Sequence, residues 1–117
     1  MQRFMLKSKI HRATLTGTEL EYEGSIAIDE GLLEEARIAP GEQVHVLNLD
    51  NGSRLVTYAI VAPRGSGTML LNGPAARLGA VGDRVIVLTY GLFDESELAG
   101  HKPLVVHVDA QNRSTSK

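Results

Sequence analysis

A chain of 117 residues is long enough for one domain with one core. A net charge of −2 gives no basic face of the kind that holds nucleic acid, and the absence of cysteine excludes disulfides, thiolate nucleophiles and cysteine-ligated metals. Aromatic residues make up 4% of the chain and tryptophan is absent, so the core has to be built from Val, Leu, Ile and Ala.

The first fifteen residues alternate apolar and charged side chains, with neither the apolar stretch of a signal peptide nor a run of about 18 apolar residues anywhere downstream. A cytoplasmic protein with no membrane partner is the expectation. Residues 2–15 read as a strand in which Phe4, Leu6 and Ile10 alternate with Lys7, Lys9, His11 and Arg12. Lys9 and His11 are two apart and share a strand face. Thr16-Gly17-Thr18 predicts a turn and 19–23 a short strand. Asp29 is placed to cap a short helix with Glu30 in its first turn and Leu32, Leu33 and Ala36 inward. Pro40-Gly41 predicts a turn, and 43–49 a strand with Val44, Val46 and Leu47 in the core.

Asp50-Asn51-Gly52 predicts a hairpin with a type I′ turn, returning through 53–61. Arg64-Gly65-Ser66-Gly67 predicts a turn and 68–71 a short strand. Asn72-Gly73-Pro74 opens a second helical turn through Ala75, Ala76 and Leu78, with Asn72 as its cap. Residues 84–90 predict a further strand, and the polar end 111–117 a frayed, disordered tail.

One unit occurs twice. Gly41-Glu42-Gln43-Val44-His45-Val46-Leu47 recurs as Gly82-Asp83-Arg84-Val85-Ile86-Val87-Leu88, each copy after a short helical stretch. Two copies are too few for a solenoid but suit a pseudo-twofold β-barrel in which each half closes the other's edges. A mainly β barrel with short helices, burying further surface by oligomerisation, is the fold expected.

The chemistry-bearing motifs begin with exclusions. No GxxxxGK[ST] phosphate loop and no HExxH occur, and His11, His45, His101 and His107 have no metal-ligand spacing, so no metal is expected. Gly24-Ser25 is suggestive, although a plain turn or bulge is its bland reading. A glycine leaves its carbonyl open, and the serine hydroxyl can attack it to shift the chain from amide to ester. β-Elimination then releases the upstream chain and leaves dehydroalanine, whose hydrolysis frees ammonia and leaves a pyruvoyl cap. Arg54 and Tyr58 are four apart on a strand, hence on one face, with Thr57 on the other.

These blocks in this order resemble the pyruvoyl-dependent aspartate 1-decarboxylase family. The resemblance runs through Met5-Leu6-Lys7-Ser8-Lys9-Ile10-His11-Arg12, Tyr22-Glu23-Gly24-Ser25-Ile26-Ala27-Ile28-Asp29, Asn51-Gly52-Ser53-Arg54, Thr57-Tyr58-Ala59-Ile60, Arg64-Gly65-Ser66, Asn72-Gly73-Pro74-Ala75-Ala76 and Gly82-Asp83. It implies a double-psi β-barrel assembled as a homotetramer with sites at subunit interfaces. It implies one domain, 1–117, self-cleaved into a β chain, 1–24, and an α chain, 25–117. It implies decarboxylation of L-aspartate to β-alanine and carbon dioxide for pantothenate and coenzyme A.

The cofactor so implied is the covalent pyruvoyl group of Ser25, which forms a Schiff base with the substrate amine, with neither metal nor pyridoxal phosphate. Tyr58 then resembles the proton donor, and Thr57 the group that polarises the Gly24 carbonyl during processing and also contacts substrate. Lys9, His11 and Arg54 are the cations for a dicarboxylate, and Asn72 with the amides of Gly73, Ala75 and Ala76 its hydrogen-bond donors. Because Thr57 lies opposite Arg54 and Tyr58, either a bulge re-aims it or different subunits supply the cleavage and catalytic contacts; the second is expected. Two positions depart from the family: Ile26 stands where some members carry Cys, and Pro74 replaces a small residue and removes an amide donor. A maturation factor is a further partner to test for. Two rival readings are a barrel that never matures and serves as a binding protein, and a DNA-binding regulator built on swapped hairpins, which 28–47 resembles and the net charge opposes.

Overall fold

The computed structural model describes residues 1–115. Eight strands form one curled sheet: β1 (Gln2–Thr14), β2 (Gly17–Glu19), β3 (Ser25–Asp29), β4 (Gln43–Asn48), β5 (Arg54–Ala62), β6 (Met69–Asn72), β7 (Arg84–Asp94) and β8 (Leu104–His107). Their order is β2-β6-β3-β5-β4-β7-β1-β8. β1 and β2 are consecutive in the chain yet lie near opposite ends of that order, so the chain itself closes the barrel. Leu15 N–H donates to the Asp83 carbonyl and Thr16 N–H to the Met69 carbonyl across the closure. The interior is aliphatic, with Ile10, Ile26, Ile28, Val44, Val46, Leu71, Val85 and Val87 almost wholly buried.

The sequence repeat is a structural repeat. Ala39–Glu42 and Ala80–Asp83 are matching turns, each with a glycine at positive φ (Gly41 +86°, Gly82 +95°). In each the fourth amide donates to the first carbonyl at 3.0 Å, and the acidic side chain accepts from the first amide at 2.9 Å. Positive φ at the third residue of such a turn is what glycine provides. Each turn clasps one strand residue from both sides. Gly41 N–H donates to Ala59 O while Ala59 N–H donates to Glu42 O; Gly82 N–H donates to Leu15 O while Leu15 N–H donates to Asp83 O.

The helix α1 (Glu30–Glu35) forms as the sequence predicts, with the Asp29 carboxylate capping Gly31 N–H and Leu32, Leu33 and Ala36 buried. Asp29 does more than cap. Its oxygens also accept from Gly65 N–H at 3.1 Å and Gly67 N–H at 2.9 Å, which fixes the 64–67 turn against the end of β3. No helix among the described residues is long and apolar enough to cross a membrane.

Several expectations are corrected. Gly17–Glu19 is a strand and residues 20–22 are the turn, the reverse of the prediction. Gly17 lies where a Cβ would meet Leu70 at 3.0 Å, so the backbone of β2 can approach β6 closely enough to pair. The 50–52 hairpin is not type I′, because only Gly52 has positive φ. Asn48 instead accepts Gly52 N–H on its carbonyl and the amides of Asp50 and Asn51 on its side chain, which holds a wider loop. Asn48 thereby takes the buried position in place of Leu47, which faces outward.

β7 runs on to Asp94, and the 3₁₀ helix Glu95–Gly100 and strand β8 were not foreseen. Residues 111–115 are fastened rather than frayed. Asn112, 2% exposed, accepts Thr14 N–H and donates to the carbonyls of Thr14 and Gly67. Residues 116–117 of the expected tail lie outside the described residues.

Candidate active site

Ser25 opens β3 at a position 2% exposed, paired with Asn72 at the end of β6. Its hydroxyl accepts a hydrogen bond from Asn72 Nδ2 at 3.0 Å and donates to the Glu23 carbonyl at 3.4 Å. Asn72 is 1% exposed, and its Oδ1 has no hydrogen-bond partner among the described residues. An enclosed acceptor of that kind costs free energy unless a ligand or water meets it. Asn72 is therefore not the helix cap that its place in the sequence predicts: it makes no side-chain cap bond, and its amide serves Ser25.

Gly73 carries the tightest backbone constraint here. It has φ +64°, and a Cβ on it would lie 2.6 Å from the Tyr22 carbonyl oxygen and 2.7 Å from Gly24 N. Any other residue would push the Tyr22–Gly24 segment away from Ser25. Gly24 has no such constraint. Its φ lies outside the left-handed region, and a Cβ there would meet only the Pro74 ring at 3.5 Å, an ordinary contact. The helical stretch Gly73–Leu78 is a six-residue 3₁₀ helix, too short for a useful dipole. Gly73 and Ala75 are buried and Ala76 half-buried, so an anion there would have to use individual N–H groups.

The parallel register of β3 with β5 pairs Ile26 with Ala59, both buried. Ser25 and Tyr58 directly precede that pair on their strands, on the outer face. Ser25 and Tyr58 share a cleft of about 380 Å³ with Tyr22, Glu23 and Ile60. Tyr22, Glu23 and Ile60 were missed as cleft residues, although two of them immediately precede the Gly-Ser pair. The β4–β5 register has no shift, so no bulge re-aims Thr57, which stays on the face opposite Tyr58.

The cations are elsewhere. Arg54 pairs with Leu47, Leu47 with Ile86, and opposite Ile86 a β-bulge in β1 sets His11 and Arg12 together. Lys9 pairs with Leu88, next in line to His45 and Val56. Arg54, Lys9 and His11 thus belong to one outer surface across β5, β4, β7 and β1, and none of them lines the Ser25 cleft. Arg54 Nη1 donates to His45 Nδ1 at 3.0 Å, which fixes that nitrogen as an acceptor. Burial lowers the His11 pKa from its ordinary value, and the charges of Lys9, His107 and Arg12 lower it further. The wall of the Ser25 cleft carries Glu23 and no cation, so one chain alone offers a dicarboxylate an unfavourable field. Among the described residues no three His, Asp or Glu side chains converge as metal ligands.

Comparison with solved structures gives the rationally designed protein mkDPBB_sym_86, a double-psi β-barrel, at a TM-score of 0.50 and 19% identity over 66% of this chain and 90% of that one. The fold is a double-psi β-barrel, as the resemblance implies. Aspartate 1-decarboxylase 2 of Gloeobacter violaceus is 62% identical over 99% of this chain and 93% of its own. The aspartate 1-decarboxylase of Syntrophobacter fumaroxidans is 56% identical over 100% and 94%, and that of Thermoanaerobacter pseudethanolicus 54% over 97% and 97%. The family model for aspartate decarboxylase matches residues 1–115, and the chain belongs to that family.

Proposed function

We propose that the protein decarboxylates L-aspartate to β-alanine and carbon dioxide, the step that supplies β-alanine for pantothenate. The observation that carries this reading is Ser25, buried beneath a cleft, bonded to Asn72 and flanked by Tyr58, in a chain of the aspartate decarboxylase family.

The chain first cuts itself between Gly24 and Ser25, giving 1–24 and 25–117. Ser25 Oγ attacks the Gly24 carbonyl; the C–N bond breaks as the C–O bond forms, and the α-amine of residue 25 is freed. Thr57, two residues before Ala59 on β5, polarises that carbonyl, and Asn72 holds the hydroxyl in place. Elimination expels the Gly24 carboxylate, and water replaces the resulting enamine nitrogen as ammonia. The pyruvoyl group left at position 25 supplies a ketone that engages the substrate amine and accepts the electrons released with carbon dioxide. The residues present fit such a group: position 25 is enclosed on the sheet side and opens on the Tyr58 side. Tyr58 returns a proton to the substrate carbon.

The carboxylates are held by Arg54, Lys9 and His11 of a second copy, whose outer surface would meet the Ser25 cleft of the first. Asn72 and the amides of Gly73, Ala75 and Ala76 complete the pocket. The exposed apolar side chains on and beside that surface, Val56, Tyr90, Leu92 and Phe4, suit burial in a homotetramer.

Intact mass under denaturing conditions is the test. Two fragments are expected, the downstream one lighter than a serine-started chain by one ammonia, with β-alanine formed on adding aspartate. A fully folded chain that stays whole alone but cleaves in cell extract would identify a maturation partner. A chain that stays whole in both overturns the reading.

A further inference from the structure

A second cleft lies at the far end of the cation surface, beyond the Ser25 site. The bulge in β1 between Ile10 and Ala13 presents two residues, His11 and Arg12, where β7 presents one. Arg12 takes φ +66°, a left-handed conformation that side chains other than glycine rarely adopt. Such a conformation persists only where its surroundings impose it, and it is most often found at binding sites. His107 pairs with His11 in the β1–β8 ladder, and the two rings meet edge to face with centroids 5.4 Å apart. Arg84 begins β7 beside them. These four residues, with Thr14 and the turn 108–110, line a cleft of about 230 Å³.

The field in this cleft is positive. Burial, then Lys9, His107 and Arg12, disfavour the charged form of His11. His11 Nδ1 is shielded from solvent and has no hydrogen-bond partner among the described residues. Asp109 is the one carboxylate among the lining residues, and its Oδ1 already accepts the amides of Gln111 and Arg113. Asp50 stands behind, with Oδ2 on the Arg84 amide. Two guanidinium groups therefore face the cleft against one carboxylate that is committed to its own turn.

We propose that this cleft binds a small divalent oxyanion of the phosphate type, held by Arg12 and Arg84 with the two imidazoles as further donors. Planar guanidinium forks match tetrahedral oxyanions, and the cavity is below the ~300 Å³ at which drug-sized ligands begin to fit. The site shares His11 with the proposed substrate surface, while Arg84, His107 and Asp109 set it apart from the Ser25 cleft.

The test is a titration of the full-length assembled protein with inorganic phosphate at constant ionic strength, followed by NMR of the His11 and His107 imidazoles. Chloride and succinate are run in parallel, and Arg84→Gln, Arg84→Lys and Arg12→Gln are checked for folding by circular dichroism. Saturable shifts at both rings, weakened about tenfold by Arg84→Gln and less by Arg84→Lys, are expected. Arg84→Gln leaves β-alanine formation in phosphate-free buffer unchanged. Shifts that rise linearly as with chloride, or equal affinity in all three variants, overturn the proposal. So does succinate binding at His107 as tightly as phosphate with no response to Arg84→Gln, which would make the cleft an edge of a dicarboxylate site.

Discussion

The Ser25 cleft and the outer surface that bears Arg54, Lys9 and His11 are opposite in what they lack. The first has a serine hydroxyl, a tyrosine hydroxyl and a buried amide, and among the described residues its one charged wall residue is Glu23. The second has cations in strand register and nothing for them to act on. Each half is positioned by sheet pairing, and on the proposed reading neither binds and transforms a dicarboxylate alone. On that reading, assembly is a condition of chemistry.

The largest effect expected is from Ser25→Ala. It removes the attacking oxygen, so denaturing electrophoresis shows one uncut chain and no β-alanine forms. Arg54→Ala leaves cleavage intact and lowers kcat/KM by roughly 10²-fold, mostly through KM, because a fixed carboxylate partner is lost. Mixing the two variants sharpens the contrast: at low aspartate, co-refolded Ser25→Ala and Arg54→Ala chains recover activity above that of Arg54→Ala alone if each site draws on two copies. No recovery, with mixed assemblies confirmed by native mass spectrometry, would place both halves on one chain.

Gly73→Ala is expected to destabilise the fold by about 2–4 kcal/mol, combining left-handed strain with a clash against Tyr22 and Gly24, and to slow cleavage. Gly24→Ala changes denaturant stability by less than about 1 kcal/mol, since a Cβ there meets no close neighbour. Equal losses in the two variants would refute the assignment of the steric constraint to Gly73.

A further effect, one that depends on pH, concerns Asp29. Burial alone would raise its pKa, but the amides of Gly67, Gly65 and Gly31, with Arg113 nearby, outweigh it and hold the carboxyl below the ordinary carboxylate range. A depressed folded pKa stabilises the fold above the unfolded value and is lost as pH falls through the folded one. Asp29→Asn should therefore cost about 1–3 kcal/mol at pH 7, and the gap to the parent chain should close as the pH falls below about 4. A gap that stays constant to pH 2 would show that the charge does not matter.

Much of the barrel was legible because its long strands carry alternating stretches and its helix carries its own cap. The 41–47 and 82–88 repeat predicted twin Gly-acid turns, though not the clasps those turns make. Short segments were not legible. β8 buries Val106 fully and little else, because its place depends on a parallel partner far away in sequence. Asn112 reads as tail until Thr14 and Gly67 supply its bonds. Within the site, the residues came from family resemblance, whereas their separation into two halves required the register. Pattern alone favoured Gly24 as the conformationally special glycine; the close approach that makes Gly73 special involves a loop fifty residues earlier.

β1 is an inner strand, pairing with β7 on one side and β8 on the other, and β2 extends the far end of the same sheet beside β6. A break after Gly24 therefore severs connectivity without removing a single ladder. On the proposed reading the barrel must be complete before the cut, because that cut would make two strands a separate peptide. Once denatured, the mature protein would face a bimolecular search to recover them. Its endurance in use would then be governed by how slowly it opens rather than by an equilibrium it can re-enter, and recovery after heating would depend on protein concentration.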